Sequence, residues 1–200
     1  PSIGMFINKY EEMSEEYDAV ISIHLAGVLS GTVEAAAAAS RQTDLRVEVI
    51  DSNSASIGLG FQAVLAAKLI NKNYNLEKIL EIISKAQDNL YVYFTVDDLK
   101  YLKKGGRIGK AQAFLGSILH FNPIIKLGED GGPLPVKKVR GTGRTIDEMV
   151  NIALDIIEEK DNFWFGLLNG DNDKIYNRFK SKIVEAVNNK AVNEPYFKET

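Results

Sequence analysis

Residues 22–40 read SIHLAGVLSGTVEAAAAAS, and their order decides the fold. The segment DAVISIHL at 18–25 is rich in β-branched residues and nearly continuously apolar, the pattern of a strand covered on both faces. Leu29-Ser30-Gly31-Thr32 interrupts it, and the alanines 35–39 follow, strong helix formers small enough to let a helix lie close on a sheet. Together they predict a strand, a short step bearing hydroxyls and a glycine, and a helix over 32–42. RVEVID at 46–51 then supplies a second strand, and apolar periodicity over 57–70 a second helix. Strand, helix, strand, helix at this spacing predicts a parallel sheet with crossover helices.

Working outward, Met5, Phe6, Ile7, Tyr10 and Met13 mark a helix over 4–16. Leu76, Ile79, Leu80 and Ile83 mark another, with Asn75 as its cap. Past residue 90 the texture changes. LYVYFTV at 90–96 reads as a strand, DDLKYLKKGG at 97–106 as a short helix ended by glycines, and KAQAFLGSIL at 110–119 as a further helix. The segment 122–141 reads as two strands joined at Asp130-Gly131-Gly132, residues that tolerate a hairpin turn. A helix over 144–160, the strand FWFGLLNG at 163–170 and a helix over 173–188 complete the pattern. The expected fold is α/β: a parallel-sheet domain at 1–80, lacking its first strand, and a second α/β domain at 81–200 with helices and a hairpin.

The chain has 200 residues, enough to bury roughly 70% of its unfolded surface, so a core needs no covalent staple. It has no cysteine, which excludes disulfides and thiolate metal sites and suits a reducing cytoplasm. A net charge of −3 gives no reason to expect a nucleic-acid partner. Apolar runs such as AVLAAKLI fall well short of the ~20 residues a membrane span needs. The chain opens on Pro1 and stops just after PYFK begins an extended segment, which reads as a piece of something longer.

Chemistry concentrates at Ser30-Gly31-Thr32. The first turn of a helix presents N–H groups without acceptors, glycine permits close approach, and the two hydroxyls add donors beside the positive end of the helix dipole. An anion site at the carboxyl end of a parallel strand is one reading; a capped helix start with a turn glycine is the other. Asp51-Ser52, at the end of the second strand, either line the same cleft or cap their loop. Gly58-Leu59-Gly60-Phe61-Gln62-Ala63 fits a dinucleotide fingerprint in letters, but residues 51–57 intervene where its first glycine must follow the strand directly. Around Gly105 and Gly109 the spacing fails that of a phosphate loop, and Ala111 stands where a magnesium-binding hydroxyl is needed. Lys103, Lys104, Arg107 and Lys110 form one basic cluster, and Lys137, Lys138, Arg140 and Arg144 another, suited to docking something anionic or simply to solvation. His24 and His120 stand in apolar contexts without catalytic or metal-binding partners at useful spacing, and no catalytic constellation is visible.

SIHLAGVLSGTVEAA, VIDSNSASIGLG, LKYLKKGGRIGKAQAFLGSIL, NPIIKLGEDG and KKVRGTGRT occur in that order, and together they resemble the DegV family over nearly the whole chain. The resemblance implies a two-domain α/β protein enclosing one long-chain fatty acid. It implies no cofactor, and a carrier that presents the fatty acid carboxylate to a separate ATP-dependent fatty acid kinase subunit. In that pattern Ser30 matches the serine that contacts the carboxylate, with Gly31 and Thr32 beside it. Arg107 and Arg140 match arginines of a face turned to the kinase and to phosphoryl transfer. Further carboxylate-site residues of the family, a threonine and a histidine, fall in segments outside these 200 residues. Phe114, Leu115, Ile118, Leu119 and Ile124 are candidates to line the acyl chain, or else ordinary core. A different class of function for the same residues is a small-molecule phosphotransferase or phosphate-binding α/β enzyme; a third is a purely structural or regulatory interaction module.

Overall fold

A computed structural model describes residues 1–115, 121–158, 160, 162–170 and 173–188. Helix α1 (Ile3–Ser14) begins where Ser2 Oγ accepts the Met5 N–H at 3.3 Å. Strand β1 (Ala19–His24), helix α2 (Thr32–Ser40) and strand β2 (Arg46–Asp51) follow, and β1 pairs with β2 in parallel, from Ala19 opposite Arg46 to His24 opposite Asp51. Helices α3 (Ser56–Asn71) and α4 (Leu76–Gln87) come next, α4 capped by Asn75. The remaining elements are β3 (Tyr93–Thr95), α5 (Lys100–Lys104), a 3₁₀ turn at Gly109–Phe114, β4 (Asn122–Leu127), β5 (Pro133–Val139), α6 (Thr142–Ile157) and α7 (Asp173–Asn188). A second sheet has the order β3-β4-β5.

Two compact units result. The first contains 1–92 with 102–111 and 126–134; the second contains 93–101, 112–125 and 135–200. Within the first, the alternation of β1 and β2 explains their unbroken apolar texture. Val20 and Val47 pack with Phe6, Ile7, Tyr10, Ala39 and Leu45 from the side of α1 and α2. Ile21, Ile23 and Ile50 pack with Ala66, Leu69, Ile79 and Ile83 from α3 and α4. Helices therefore cover both faces, as a parallel sheet requires. In the second unit Ile146, Val150, Ile157 and Ile183 form a core that Phe163, Phe165 and Phe179 join.

Three expectations are corrected. The strand expected at 90–96 is confined to Tyr93–Thr95, with the Val92 carbonyl just before it accepting the Leu127 N–H at 3.0 Å. The helix expected at 110–119 is, in its described part, the 3₁₀ turn: Gly109 has φ +51°, and a side chain there would stand 3.0 Å from Pro133, so the chain tightens where it passes that proline. FWFGLLNG forms no strand among the described residues. Within it Leu167 is buried and Trp164 exposed. Periodicity reports which side chains face the core, not whether a neighbouring backbone offers a ladder.

Candidate functional site

The site grows from the two parallel strands. After His24 the chain turns through residues 26–29, with the Leu29 N–H on the Ala26 carbonyl at 2.9 Å and the Ser30 N–H on the same carbonyl at 3.2 Å. Gly31 then opens α2 without a side-chain cap, and the Ala35 N–H on the Gly31 carbonyl at 3.1 Å is the first helical bond. The N–H groups of the first turn before it have no acceptor within the helix. Ser30 Oγ and Thr32 Oγ1 lie 2.7 Å apart across this step, both residues half-buried, with Gly31 exposed between them. One hydroxyl must donate to the other, which leaves a single hydroxyl proton and the amides for an outside acceptor.

Asp51, at the end of β2, ties this turn to the next loop. Its Oδ2 accepts the Gly27 N–H at 3.0 Å and its Oδ1 the Asn53 N–H at 2.9 Å. Beneath it lies a polar scaffold, buried at Gln62 and half-buried at Gln87. Gln87 donates to the Asp51 carbonyl and to Gln62 Oε1, each at 2.9 Å, while Gln62 donates to the Ser52 carbonyl at 2.8 Å. Ser52, Ser54 and Gln62 are buried, so Asp51 caps the loop as one of its two readings had it, and Ser52 is structural. Gly58 lies inside α3, where a side chain would meet Ser54 Oγ at 2.2 Å and Val92 at 2.8 Å; close packing accounts for it.

Two distant segments reach the same place. At the end of α5 the Gly106 N–H bonds the Lys103 carbonyl at 3.0 Å and the Arg107 N–H the Leu102 carbonyl at 2.9 Å, a glycine-terminated helix end with Gly106 at φ +75°. This reversal delivers Arg107, whose Nε donates to the Leu29 carbonyl at 3.2 Å and whose Nη1 donates to the Gly105 carbonyl. The turn between β4 and β5 also arrives: a Cβ on Gly131, at φ +79°, would lie 2.3 Å from Ala26 Cβ and 2.8 Å from the Asn53 backbone. Glu34 was missed by motif reading. From the first turn of α2 its Oε1 lies 3.2 Å from the point where a Gly27 Cβ would stand.

His24 sits at the carboxyl end of β1 in a hydrogen-bonded row, Nε2 to Ser22 Oγ at 2.8 Å and Ser22 Oγ to Tyr10 Oη at 2.9 Å, with the Phe6 ring edge-on at 5.1 Å. Burial lowers its pKa below the ordinary 6.5, and the Asp51 carboxylate opposes the shift. His120 lies outside the described residues.

Ser30, Gly31, Thr32 and Arg107 are thus brought together in the first unit. Arg140, Phe114, Leu115 and Ile124 belong to the second. There Arg140 is exposed, Phe114 and Leu115 are half-buried, and Ile124 is fully buried. Lys138 lies over the Phe114 ring at 4.7 Å, and Lys137 pairs with Glu148 at 2.6 Å, so part of the second basic cluster is engaged within its own unit. Ile118 and Leu119 fall outside the described residues. Among the described residues no helix is long and apolar enough to cross a membrane, and no group of three acidic, His or Cys side chains could hold a metal.

Fold and loop cluster together define an α/β protein with a small polar site at the carboxyl ends of parallel strands. The family described as "Uncharacterised protein, DegV family" matches residues 1–199, and the chain belongs to it. Protein DegV of Bacillus subtilis is 38% identical over 154 residues, covering 76% of this chain and 54% of that protein, so the chain spans about half the length of that relative. A structure titled as fatty acid binding of a DegV family protein from Thermus thermophilus superposes with a TM-score of 0.93 at 30% identity, covering all of this chain and 70% of the other. The structure of DegV described as a fatty acid binding protein from Bacillus subtilis gives 0.84 at 32% identity, with the same coverage.

Replacing Gly131 by Ala forces a side chain into the Ala26–Asn53 contact at a left-handed φ. Stability is expected to fall by about 1–3 kcal/mol in urea denaturation. Gly60→Ala, with nothing within 4 Å on α3, is the control and should be neutral or stabilising. His24 yields a pH dependence of definite sign. Its folded pKa lies below the unfolded one, so the unfolded chain binds the proton first, and stability is lost as pH falls below about 6.5 through the folded pKa. Comparing wild type with His24→Gln at pH 7 and pH 5.5 should show a steeper loss in wild type; identical slopes would contradict the assignment.

Proposed function

We propose that the protein binds a long-chain fatty acid, holding its carboxylate at Ser30-Gly31-Thr32, and acts as a carrier rather than as a self-sufficient enzyme. The observation that carries this reading is the hydroxyl pair, Ser30 Oγ and Thr32 Oγ1 at 2.7 Å, flanking an uncapped and exposed helix start at the carboxyl end of β1. Fatty acid binding by relatives at 30% and 32% identity supports it. Hydroxyl and amide donors set against a helix N-terminus suit a monoanionic head group of this size.

The tail supplies most of the affinity. Burying ten or more methylenes is worth about 8 kcal/mol before ordering costs, against about 1–3 kcal/mol for each hydrogen bond to the charged head. Phe114, Leu115, Ile118, Leu119 and Ile124 are the candidates for acyl contacts. In the proposed reaction a separate kinase supplies ATP. A carboxylate oxygen attacks the γ-phosphorus, the bond from that phosphorus to the β–γ bridging oxygen breaks, and ADP leaves with the electron pair, giving an acyl phosphate. Arg107 and Arg140 are assigned to the face that meets the kinase. Arg107 fits because its guanidinium is docked on the Leu29 carbonyl, one residue before Ser30.

Protein purified from bacteria is expected to release fatty acid on denaturation, detected by mass spectrometry. Ser30→Ala should weaken retention about ten-fold, the value of one lost charge-assisted bond at ~1.4 kcal/mol. An absence of lipid under conditions that reveal it in a known carrier would count against the reading, and ATP turnover by the chain alone would favour the phosphotransferase.

A further inference from the structure

We infer that Glu34 limits the charge of the head group this step will hold, so that a monoanionic carboxylate is retained and a dianionic phosphate on the same tail is disfavoured. The inference rests on the fatty-acid reading above and names a specificity residue within it. Glu34 is exposed in the first turn of α2, the third residue after Gly31. Glutamate at that position ordinarily folds back to cap the N–H at the helix start. Here it makes no hydrogen bond or ion pair among the described residues, yet its Oε2 lies 3.8 Å and its Oε1 3.2 Å from where side chains on Gly31 and Gly27 would begin. Its charge is favourable at the positive end of the helix dipole, but no partner among the described residues neutralises it.

Asp51 reaches the same spot, with Oδ2 3.0 Å from the Gly27 Cβ position, but that carboxylate is spent on two backbone N–H groups. Two negative charges thus border a step whose proposed ligand is itself negative, and one of them is free of other duties. The half-positive helix end and the hydroxyls offer a fixed attraction, whereas repulsion from Glu34 grows in proportion to the charge on the ligand. In this exposed, salt-screened setting each ligand charge costs about two- to three-fold in affinity. Phosphorylating the head group takes it from one negative charge toward two. The residue that is tolerable for the substrate then becomes a means of expelling the product.

The test measures binding of dodecanoate and dodecyl phosphate to the full chain, at about pH 8 and low ionic strength, for wild type and Glu34→Gln. The isosteric change at an exposed position is expected to lower the melting temperature only slightly, by the loss of one first-turn charge at the positive end of the helix dipole. Affinity for dodecyl phosphate should rise about four- to ten-fold and that for dodecanoate about two- to three-fold, with the gap closing as salt is added. Equal changes in both ligands, or no change in either while wild type binds dodecanoate, overturn the role of Glu34 alone. If wild type binds no dodecanoate, the fatty-acid reading falls and this inference falls with it.

Discussion

Asp51 is the side chain on which the arrangement depends. Two parallel strands end side by side, and the loops that leave them would otherwise be joined only by backbone bonds such as Ser52 N–H to the His24 carbonyl at 2.9 Å. By accepting one N–H from each loop, its carboxylate fixes Gly27 and Asn53 together. Gly27 lies in the turn that places Ser30, so the geometry of the helix start is inherited from the end of β2. Gln62, buried, and Gln87, half-buried, brace the carbonyl side of the same residues through hydrogen bonds that link the two side chains. Gly131 is then the third member of the cluster, required because its turn touches backbone where a side chain has no room.

The electrostatics of the step are mixed. A helix N-terminus and two hydroxyls favour an anion, Arg107 stands on the Leu29 carbonyl, and Asp51 and Glu34 oppose. Asp51 is held by the two N–H groups it accepts, while Glu34 makes no hydrogen bond or ion pair among the described residues. Such a balance gives modest head-group affinity and sharp sensitivity to charge, which suits a ligand whose tail contributes most of the binding energy.

Much of this was legible in the sequence, for identifiable reasons. The two-sided burial of β1 and β2 was written in their unbroken apolar runs, the start of α4 in Asn75, and the hairpin turn in Asp130-Gly131-Gly132. The strand–helix step at Ser30 was legible because glycine and hydroxyls have few other reasons to fall between a strand and an alanine run. What was hidden depends on distance in the chain. Nothing near Arg107 announces that it donates to Leu29, and nothing near Gly131 announces Ala26, because these are meetings of separate loops. Nothing in the local sequence sets Glu34 apart from other charged residues; the fold is what brings its carboxylate beside Gly27. The 3₁₀ turn at Gly109–Phe114 and the FWFGLLNG segment, which forms no strand among the described residues, mark the other limit, since residue pattern reports burial and propensity but not the element that results.

The central claim is that an anionic head group rests on the start of α2, and a crystal structure of the protein carrying a fatty acid tests it most directly. The account predicts carboxylate oxygens within hydrogen-bond distance of the Ser30 hydroxyl or the Thr32 amide. A carboxylate held elsewhere, with Ser30 and Thr32 still bonded only to each other, would contradict it.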